Sequence, residues 1–215
     1  MRSVAALLLA FALSAPALAN TYDDALAAYQ KRDFLTALRI YLPLATDGNA
    51  LAQYNLGVMY ARGEGVSQNF AEAFKWYEKA AAQGVVEAEF SLGTLYSTGR
   101  GVAKDEAKAV AWLRKAAEHG DPGAQNGLAI MYDTGRGAPL DLPEAVKWFK
   151  RSAQQGFAAA EAHLGGLYEK GRGVDVDYAE ARRLYRAAAA QGYPDAEQSL
   201  GHLYAEGIEI GRAHV

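Results

Sequence analysis

Cysteine is absent from the 215 residues of this chain. Disulfide bonds, thiolate nucleophiles and thiolate metal ligands are therefore excluded, and so is a lipid anchor attached to cysteine. A disulfide-stapled, fully extracellular scaffold is disfavoured for the same reason.

The sequence also has no basic block and, after residue 19, no long hydrophobic run. The formal net charge is −3 and the isoelectric point is near 5.8, so the electrostatic footprint of a nucleic-acid-binding protein is missing. No later segment is long and apolar enough to cross a bilayer as a helix. We therefore predict no nucleic-acid partner and no membrane span. With 51% apolar residues, the chain can nevertheless build a packed core.

The N-terminal residues have the pattern of a secretory leader. Arg2 gives a positive start, and residues 4–13 form an almost unbroken apolar run. Ala17-Leu18-Ala19 is the small-x-small pattern that precedes signal-peptide cleavage. We predict that residues 1–19 are a signal peptide, cleaved after Ala19, and that the mature protein is periplasmic.

The dominant feature of the remaining chain is a period of 36 residues, without insertion or deletion, from Ala52 to Tyr204. A fixed period of this size predicts a solenoid, in which one supersecondary unit stacks on copies of itself and buries a continuous core. Leucine, tyrosine and glycine each recur in one column. The columns are Leu56, Leu92, Leu128, Leu164 and Leu200; Tyr60, Tyr96, Tyr132, Tyr168 and Tyr204; and Gly63, Gly99, Gly135, Gly171 and Gly207.

Each unit has the apolar spacing of two helices. In the first unit, Ala52, Leu56 and Tyr60 share one side of a helix A, and Trp76 and Ala80 share one side of a helix B. We therefore predict an all-α fold, a right-handed α-solenoid of stacked helix-turn-helix repeats of 36 residues.

Turn and cap residues separate the two helices. A Gly-x-Gly turn follows helix A, where glycine can take positive φ, and an asparagine or aspartate then caps helix B. A glutamate three residues after the cap predicts a capping box in three of the units. The caps are Asn69, Asp105, Asp141 and Asp177, and the glutamates are Glu72, Glu144 and Glu180.

Small residues in helix A predict close helix packing beside the aromatic rings of helix B. Glycine or alanine occupies positions 57, 93, 129, 165 and 201. The indoles of Trp76, Trp112 and Trp148 are predicted to be core, and Leu184 replaces them in the fourth unit.

The full pattern is A-x-x-x-L-G-x-x-Y-x-x-G-x-G-V followed by D-x-x-x-A-x-x-W-Y-x-K-A-A-x-Q-G. It resembles the Sel-one-like repeat, a longer-looped relative of the tetratricopeptide repeat. Residues 52–84 and 88–120 carry it most fully, and the fourth unit departs mildly at Leu184 and Ala187. The resemblance implies a non-catalytic scaffold that binds protein or peptide partners, an adaptor or regulator of envelope processes.

The repeat pattern divides the chain into segments. Residues 20–48 align as a degenerate N-terminal helical pair that caps the solenoid, with Pro43 inside its second helix, and residues 49–192 hold four repeats. Residues 193–208 form a half repeat, which is helix A of a fifth unit. Residues 209–215 back-translate into a string similar to a widely used sequencing-library adapter, so we expect them to be a read-through artefact.

A candidate partner-binding groove follows from the columns that vary. In tetratricopeptide folds, the side of helix A opposite the conserved leucine and tyrosine lines the concave surface. Its occupants change here from unit to unit, which suits a protein or peptide ligand laid into a groove. The candidate groove residues are Tyr54, Val58, Arg62, Phe90, Thr94, Asn126, Ile130, His163 and Lys170.

One column that does not vary freely lies on the first turn of helix A. It holds Gln53, Glu89, Gln125, Glu161 and Glu197, and we predict that these side chains make helix-end hydrogen bonds. Near the end of helix B, His119 occupies the column of Gln83, Gln155 and Gln191.

Two other classes of function remain open, a β-lactamase-like hydrolase that interacts with cell wall or penicillin, and a purely structural spacer. No serine is followed three places later by lysine, so the acylation motif is absent. His163 and His202 have no carboxylate or histidine beside them at ligand spacing. We predict no catalytic residue, no metal and no cofactor, and the residues favour no particular oligomeric state.

Overall fold

The structure is a computed structural model that describes residues 21–205. The predicted signal peptide at 1–19 and the suspected adapter tail at 209–215 lie outside these residues. So do residues 206–208 of the predicted half repeat.

Residues 21–205 form eleven α-helices and no β-strand. The N-terminal pair is α1 and α2, the A helices of the repeats are α3, α5, α7, α9 and α11, and the B helices are α4, α6, α8 and α10. Their bounds are α1 Tyr22–Gln30, α2 Phe34–Thr46, α3 Ala50–Arg62, α4 Phe70–Ala81, α5 Val86–Thr98, α6 Glu106–Glu118, α7 Pro122–Thr134, α8 Leu142–Gln154, α9 Ala158–Lys170, α10 Tyr178–Ala190 and α11 Pro194–Ala205.

Each helix packs mainly on the helix before it and the helix after it. The A helices begin 36 residues apart, at 50, 86, 122, 158 and 194. Contacts between neighbours alone are typical of a repeat array, and the predicted all-α solenoid is confirmed. Helix α2 continues through Pro43, which lies in its last turn.

The Gly-x-Gly turns are shaped by two glycines with positive φ. In the first repeat, Gly63 and Gly65 have φ of +72° and +73°. Gly63 is the C-cap of α3. A Cβ built on Gly65 would lie 2.8 Å from the carbonyl oxygen of Phe34, at the start of α2 in the N-terminal pair. The second glycine is therefore required both by its backbone conformation and by the approach of the preceding helical pair.

The predicted capping boxes of helix B are wrong, because only one of the two hydrogen bonds of each box forms. The Asn69 side chain accepts from the backbone N–H of Glu72 at 3.1 Å, as expected. The reciprocal bond does not form, because the Asn69 backbone N–H already donates to the carbonyl of Tyr60 at 2.8 Å. Glu72 instead pairs with Lys75 at 2.6 Å. The backbone bond recurs at 3.0 Å for Asp105 to Tyr96, Asp141 to Tyr132 and Asp177 to Tyr168.

The core is built from the leucine column and from small residues set against rings. Leu56 is fully buried. A Cβ on Gly57 would lie 2.6 Å from the Tyr77 ring, and one on Gly165 would lie 2.9 Å from the Tyr185 ring. These glycines let helix A approach helix B, as predicted. Gly201 differs, because no described atom lies within 4 Å of its added Cβ.

None of the described helices is both long enough and apolar enough to span a membrane.

Candidate functional site

The exposed side of the A helices carries a row of clefts, one between each pair of successive A helices from α3 to α9. Each cleft has an apolar floor and an arginine at its rim. We refer to the three together as the A-helix groove.

The cleft between α5 and α7 has a volume of about 300 Å³. It brings together four predicted groove residues, because Phe90 and Thr94 lie one turn apart on α5 and Asn126 and Ile130 one turn apart on α7. Sequence reasoning missed the other residues of the floor. These are Leu113, Met131 and Phe157.

The cleft between α3 and α5 is smaller, about 200 Å³. Phe90 and Thr94 also line this cleft, together with Tyr77, Ser91 and Arg100. Since Phe90 borders both neighbouring clefts, its ring is the central apolar element of the A-helix groove.

The cleft between α7 and α9 has a volume of about 180 Å³ and contains two predicted residues, His163 and Lys170. The His163 ring stacks on Phe149 with ring centroids 5.3 Å apart. Its Nδ1 lies 3.2 Å from Asn126 Oδ1. Loss of water around the ring, against the buried Phe149, lowers the pKa of His163. His163 is therefore predominantly neutral at pH 7.

The remaining predicted residues lie on α3. Tyr54 and Val58 are half-buried and pack against the core cluster of the first two repeats. The Tyr54 and Tyr77 ring centroids are 5.8 Å apart. Arg62 is exposed and donates to the Tyr29 hydroxyl at 3.2 Å, so it links α3 to the N-terminal pair.

Arginines in the Gly-x-Gly turns form a basic rim that the sequence reasoning missed. Arg136 donates to Glu106 Oε1 through Nε at 3.1 Å and Nη2 at 3.0 Å. Arg172 lies 2.9 Å from Asp133 Oδ1. Arg100 instead stacks over the Phe70 ring at 5.4 Å. Arginine at the middle position of three turns out of four was a visible signal, since only Glu64 departs from it.

The first-turn column of glutamine and glutamate makes buried bonds between helix ends, as predicted. Gln53 donates to the carbonyl of Ala45 at 3.0 Å and accepts from Gln83 at 2.8 Å. Gln125 makes the same bonds, to Ala117 at 3.1 Å and from Gln155 at 2.9 Å. Each amide pair thus joins one repeat to the helix end of the preceding repeat.

A buried carboxylate replaces the amide in the second repeat. Glu89 is 0% exposed. Its Oε2 lies 2.8 Å from His119 Nδ1, and its Oε1 lies 2.7 Å from Lys115 Nζ. In the fourth repeat, Gln191 donates to Glu161 at 3.0 Å. Burial raises the pKa of Glu161, and the bond from Gln191 partly offsets this effect.

Metal-ligating side chains do not cluster in residues 21–205, where no three histidines, aspartates or glutamates converge. The prediction that no carboxylate lies beside His202 is wrong, because His202 Nδ1 lies 3.9 Å from Glu169 Oε1. Within residues 21–205, this histidine and carboxylate are not joined by the further ligands that a typical zinc site needs.

The fold and the groove together define an α-solenoid with a recurrent surface on its A helices. The Sel1 repeat family model matches residues 50–85, 86–121, 122–157 and 158–193. The chain therefore belongs to the Sel1 repeat family. Proteins of this family are generally scaffolds for protein interaction, and the family is typically non-catalytic.

Solved structures agree with this assignment. The chain is similar to a Sel1 repeat protein from Oxalobacter formigenes, with 36% identity over 87% of this chain and 76% of that chain and a TM-score of 0.82. It is also similar to c5321, a protective antigen present in uropathogenic Escherichia coli strains, with 28% identity, coverage of 90% and 50%, and a TM-score of 0.61. It shares the fold of the immunity protein PA5088 from Pseudomonas aeruginosa, with 23% identity, coverage of 84% and 73%, and a TM-score of 0.56. No curated protein matches the chain.

Proposed function

We propose that this protein is a periplasmic adaptor or regulator that binds an extended peptide or a helix of a partner protein in the A-helix groove. The family supports the scaffold role. The leader-like residues 1–19 support export, and the absence of cysteine disfavours a disulfide-stapled, fully extracellular scaffold. The partner-binding residues in this proposal are those of the groove, and no catalytic step is assigned to them.

The observation that carries the proposal is the continuity of the three clefts. Phe90 borders two of them, and the floor changes from repeat to repeat whereas the core columns do not. A succession of different apolar clefts favours a ligand with several anchoring side chains in a fixed order.

The charges at the rim suggest the chemistry of that ligand. Arg100 and Lys170 are exposed at the groove, and the Arg100 guanidinium lies over the ring of Phe70. Arg136 and Arg172 already contact carboxylates of the protein. A peptide that combines apolar anchors with acidic residues therefore matches the A-helix groove best.

Site-specific photo-crosslinking in the periplasm tests the location of the groove. A crosslinking amino acid at Thr94, inside the clefts, should capture a discrete partner. The same amino acid at Lys147, exposed on α8, is the matched control. Phe90→Ala should weaken capture at position 94 about tenfold, as expected for an aromatic anchor, with thermal unfolding measured in parallel to verify folding.

Equal capture at positions 94 and 147 would contradict the groove and favour the structural spacer. Turnover of nitrocefin or acylation by a labelled penicillin would instead favour the hydrolase. Export is tested separately, by fusion to alkaline phosphatase and by N-terminal sequencing of the secreted chain, where a start at Asn20 is expected.

A further inference from the structure

A second pocket lies away from the A-helix groove, between α8, α9 and α10. Its origin is visible in the B helices of the first three repeats, where a tryptophan is covered by a cation one turn later. Lys79 Nζ lies 4.0 Å from the centroid of Trp76. Lys115 lies 5.2 Å from Trp112, and Arg151 lies 4.7 Å from Trp148. The pair thus recurs in three successive repeats.

The fourth repeat has lost both members of this pair. Leu184 stands in the tryptophan column and Ala187 in the cation column. Each change is mild alone, but together they remove an indole ring and the side chain that covers it. The result is a cavity of about 430 Å³ lined by Leu184, within the range of ~300–1,000 Å³ of small-molecule sites.

The third repeat shows what occupies the corresponding position when tryptophan is present. Trp148 is 2% exposed. Its indole N–H donates to Glu144 Oε1 at 2.8 Å. The same carboxylate also accepts from Lys147 at 3.0 Å. One glutamate therefore serves a cation three residues later and an indole N–H four residues later.

The fourth repeat keeps this acceptor without the indole. Glu180, the equivalent of Glu144, lines the cavity. Arg183 donates to both of its oxygens, from Nε to Oε2 and from Nη2 to Oε1, each at 2.7 Å. Because a carboxylate has about four lone-pair sites, it can accept a further hydrogen bond.

The walls of the cavity also suit a flat aromatic ring. Leu164 and Leu184 are buried, with 3% and 2% exposure, and Tyr168 stands beside them. Lys150 Nζ lies 5.6 Å from the Tyr168 ring centroid. Glu161 supplies a second carboxylate at the wall and is only 8% exposed. The lining is mixed, because Lys150, Gln154 and Arg183 stand beside these carboxylates. Polar groups that fix the orientation of a ligand next to apolar contacts are typical of a small-molecule site.

We propose that this cavity binds an indole ring, with its ring N–H donated to Glu180 and its faces against Leu164, Tyr168 and Leu184. The ring can belong to a free indole compound or to a tryptophan side chain of a partner. The inference does not depend on the A-helix groove, since the two surfaces have no lining residue in common and use different residues of α9.

Titration with indole, followed by methyl and aromatic NMR spectra of the mature protein, tests the proposal. We expect saturable shifts and intermolecular NOEs to Leu164, Leu184 and Tyr168. The 1-methyl derivative, which has no ring N–H, should bind several-fold more weakly, because the acceptor is left unpaired. Absence of saturable binding up to the solubility of indole, or NOEs only to other residues, would overturn the proposal.

The double substitution Leu184→Trp and Ala187→Arg converts the fourth repeat to the pattern of the third. The introduced ring should weaken indole binding at least about tenfold, because it occupies the same space. Unchanged affinity in a folded double variant would overturn the proposal. If the variant does not fold, the NOEs in the unaltered protein decide the question.

A parallel titration with N-acetyltryptophanamide separates the two sources of the ring. Binding as tight as that of indole indicates a tryptophan side chain of a partner. Binding by indole alone indicates a free compound, and both results support the site.

Discussion

In the first and third repeats, the side-chain bond between helix ends is made by two neutral amides. In the second and fourth repeats, a carboxylate replaces one of these amides. Gln53 pairs with Gln83, and Gln125 with Gln155, at 2.8 and 2.9 Å. At the same position, Glu89 is fully buried between a lysine and a histidine. The geometry is shared, with partners 30 residues apart in every repeat. A buried polar bond between helix ends is therefore kept at this position in every repeat, whereas the charge of the side chains that make it varies.

The largest loss of stability is expected when Glu89 loses both of its basic partners. In Lys115→Met with His119→Ala, the Glu89 carboxylate is left buried without a counter-charge, while the apolar stem at position 115 is kept. We expect the free energy of unfolding to fall by ~3–5 kcal/mol, measured by urea denaturation at pH 7.

Gln155→Ala is the matched control in the third repeat. Gln125 then keeps its bond to the Ala117 carbonyl, so we expect a loss of only ~1 kcal/mol. Similar losses in the two variants would mean that the charge at position 89 is irrelevant to stability.

Introducing a charge into a neutral repeat should have the next largest effect. In Gln125→Glu, the donor to the Ala117 carbonyl disappears and a carboxylate faces that oxygen. A loss of ~1–3 kcal/mol is expected at pH 7, with part of it recovered in acid as the new carboxyl is protonated. Urea denaturation at pH 7 and pH 5 would show this, and a variant as stable as the parent would refute it.

Removing the charge of Glu89 from the second repeat should lower the free energy of unfolding little. Glu89→Gln with His119→Gln recreates the pair of the first and third repeats. The desolvation of a buried ion pair offsets much of its Coulombic attraction, and a glutamine pair already fits this position in two other repeats. We therefore expect a free energy of unfolding equal to or above that of the parent. A loss comparable to that of the Lys115→Met and His119→Ala variant would show that this repeat needs its charges.

The smallest effect is expected at Glu161, and it depends on pH. Burial raises its pKa above 4.5, so the folded state binds the proton more tightly than the unfolded state. The carboxylate therefore destabilises the fold at neutral pH, and this cost disappears as pH falls through the folded pKa towards 4.5. Glu161→Gln should be more stable than the parent at pH 7, by a margin that shrinks towards pH 4.5. A margin that grows in acid would reverse the assigned sign.

The sequence predicted the repeated parts of the molecule well, because period and hydrophobic spacing act through neighbouring residues. Helix positions and the close packing at Gly57 follow directly from the columns. The capping boxes were mispredicted because the backbone N–H of Asn69 donates to the carbonyl of Tyr60 across the turn. The local sequence pattern does not reveal that bond.

The candidate site was only partly predictable. Column variation identified Phe90 and Ile130, which the fold brings to one cleft. It missed Phe157 because that residue precedes its helix, and it missed the arginines because the turns were interpreted through glycine alone. The indole cavity could not be foreseen, since it forms where three helices meet and two mild substitutions coincide.

The cap residue of each helix B donates its backbone N–H to the carbonyl of the tyrosine nine positions earlier. This bond also limits how the length of such a protein can evolve. It fixes the arc of every turn, so that a single added or lost residue would leave an amide and a carbonyl stranded in each affected unit. Growth and shrinkage are then restricted to whole modules. Diversity must arise instead by side-chain replacement on an array whose pitch stays constant.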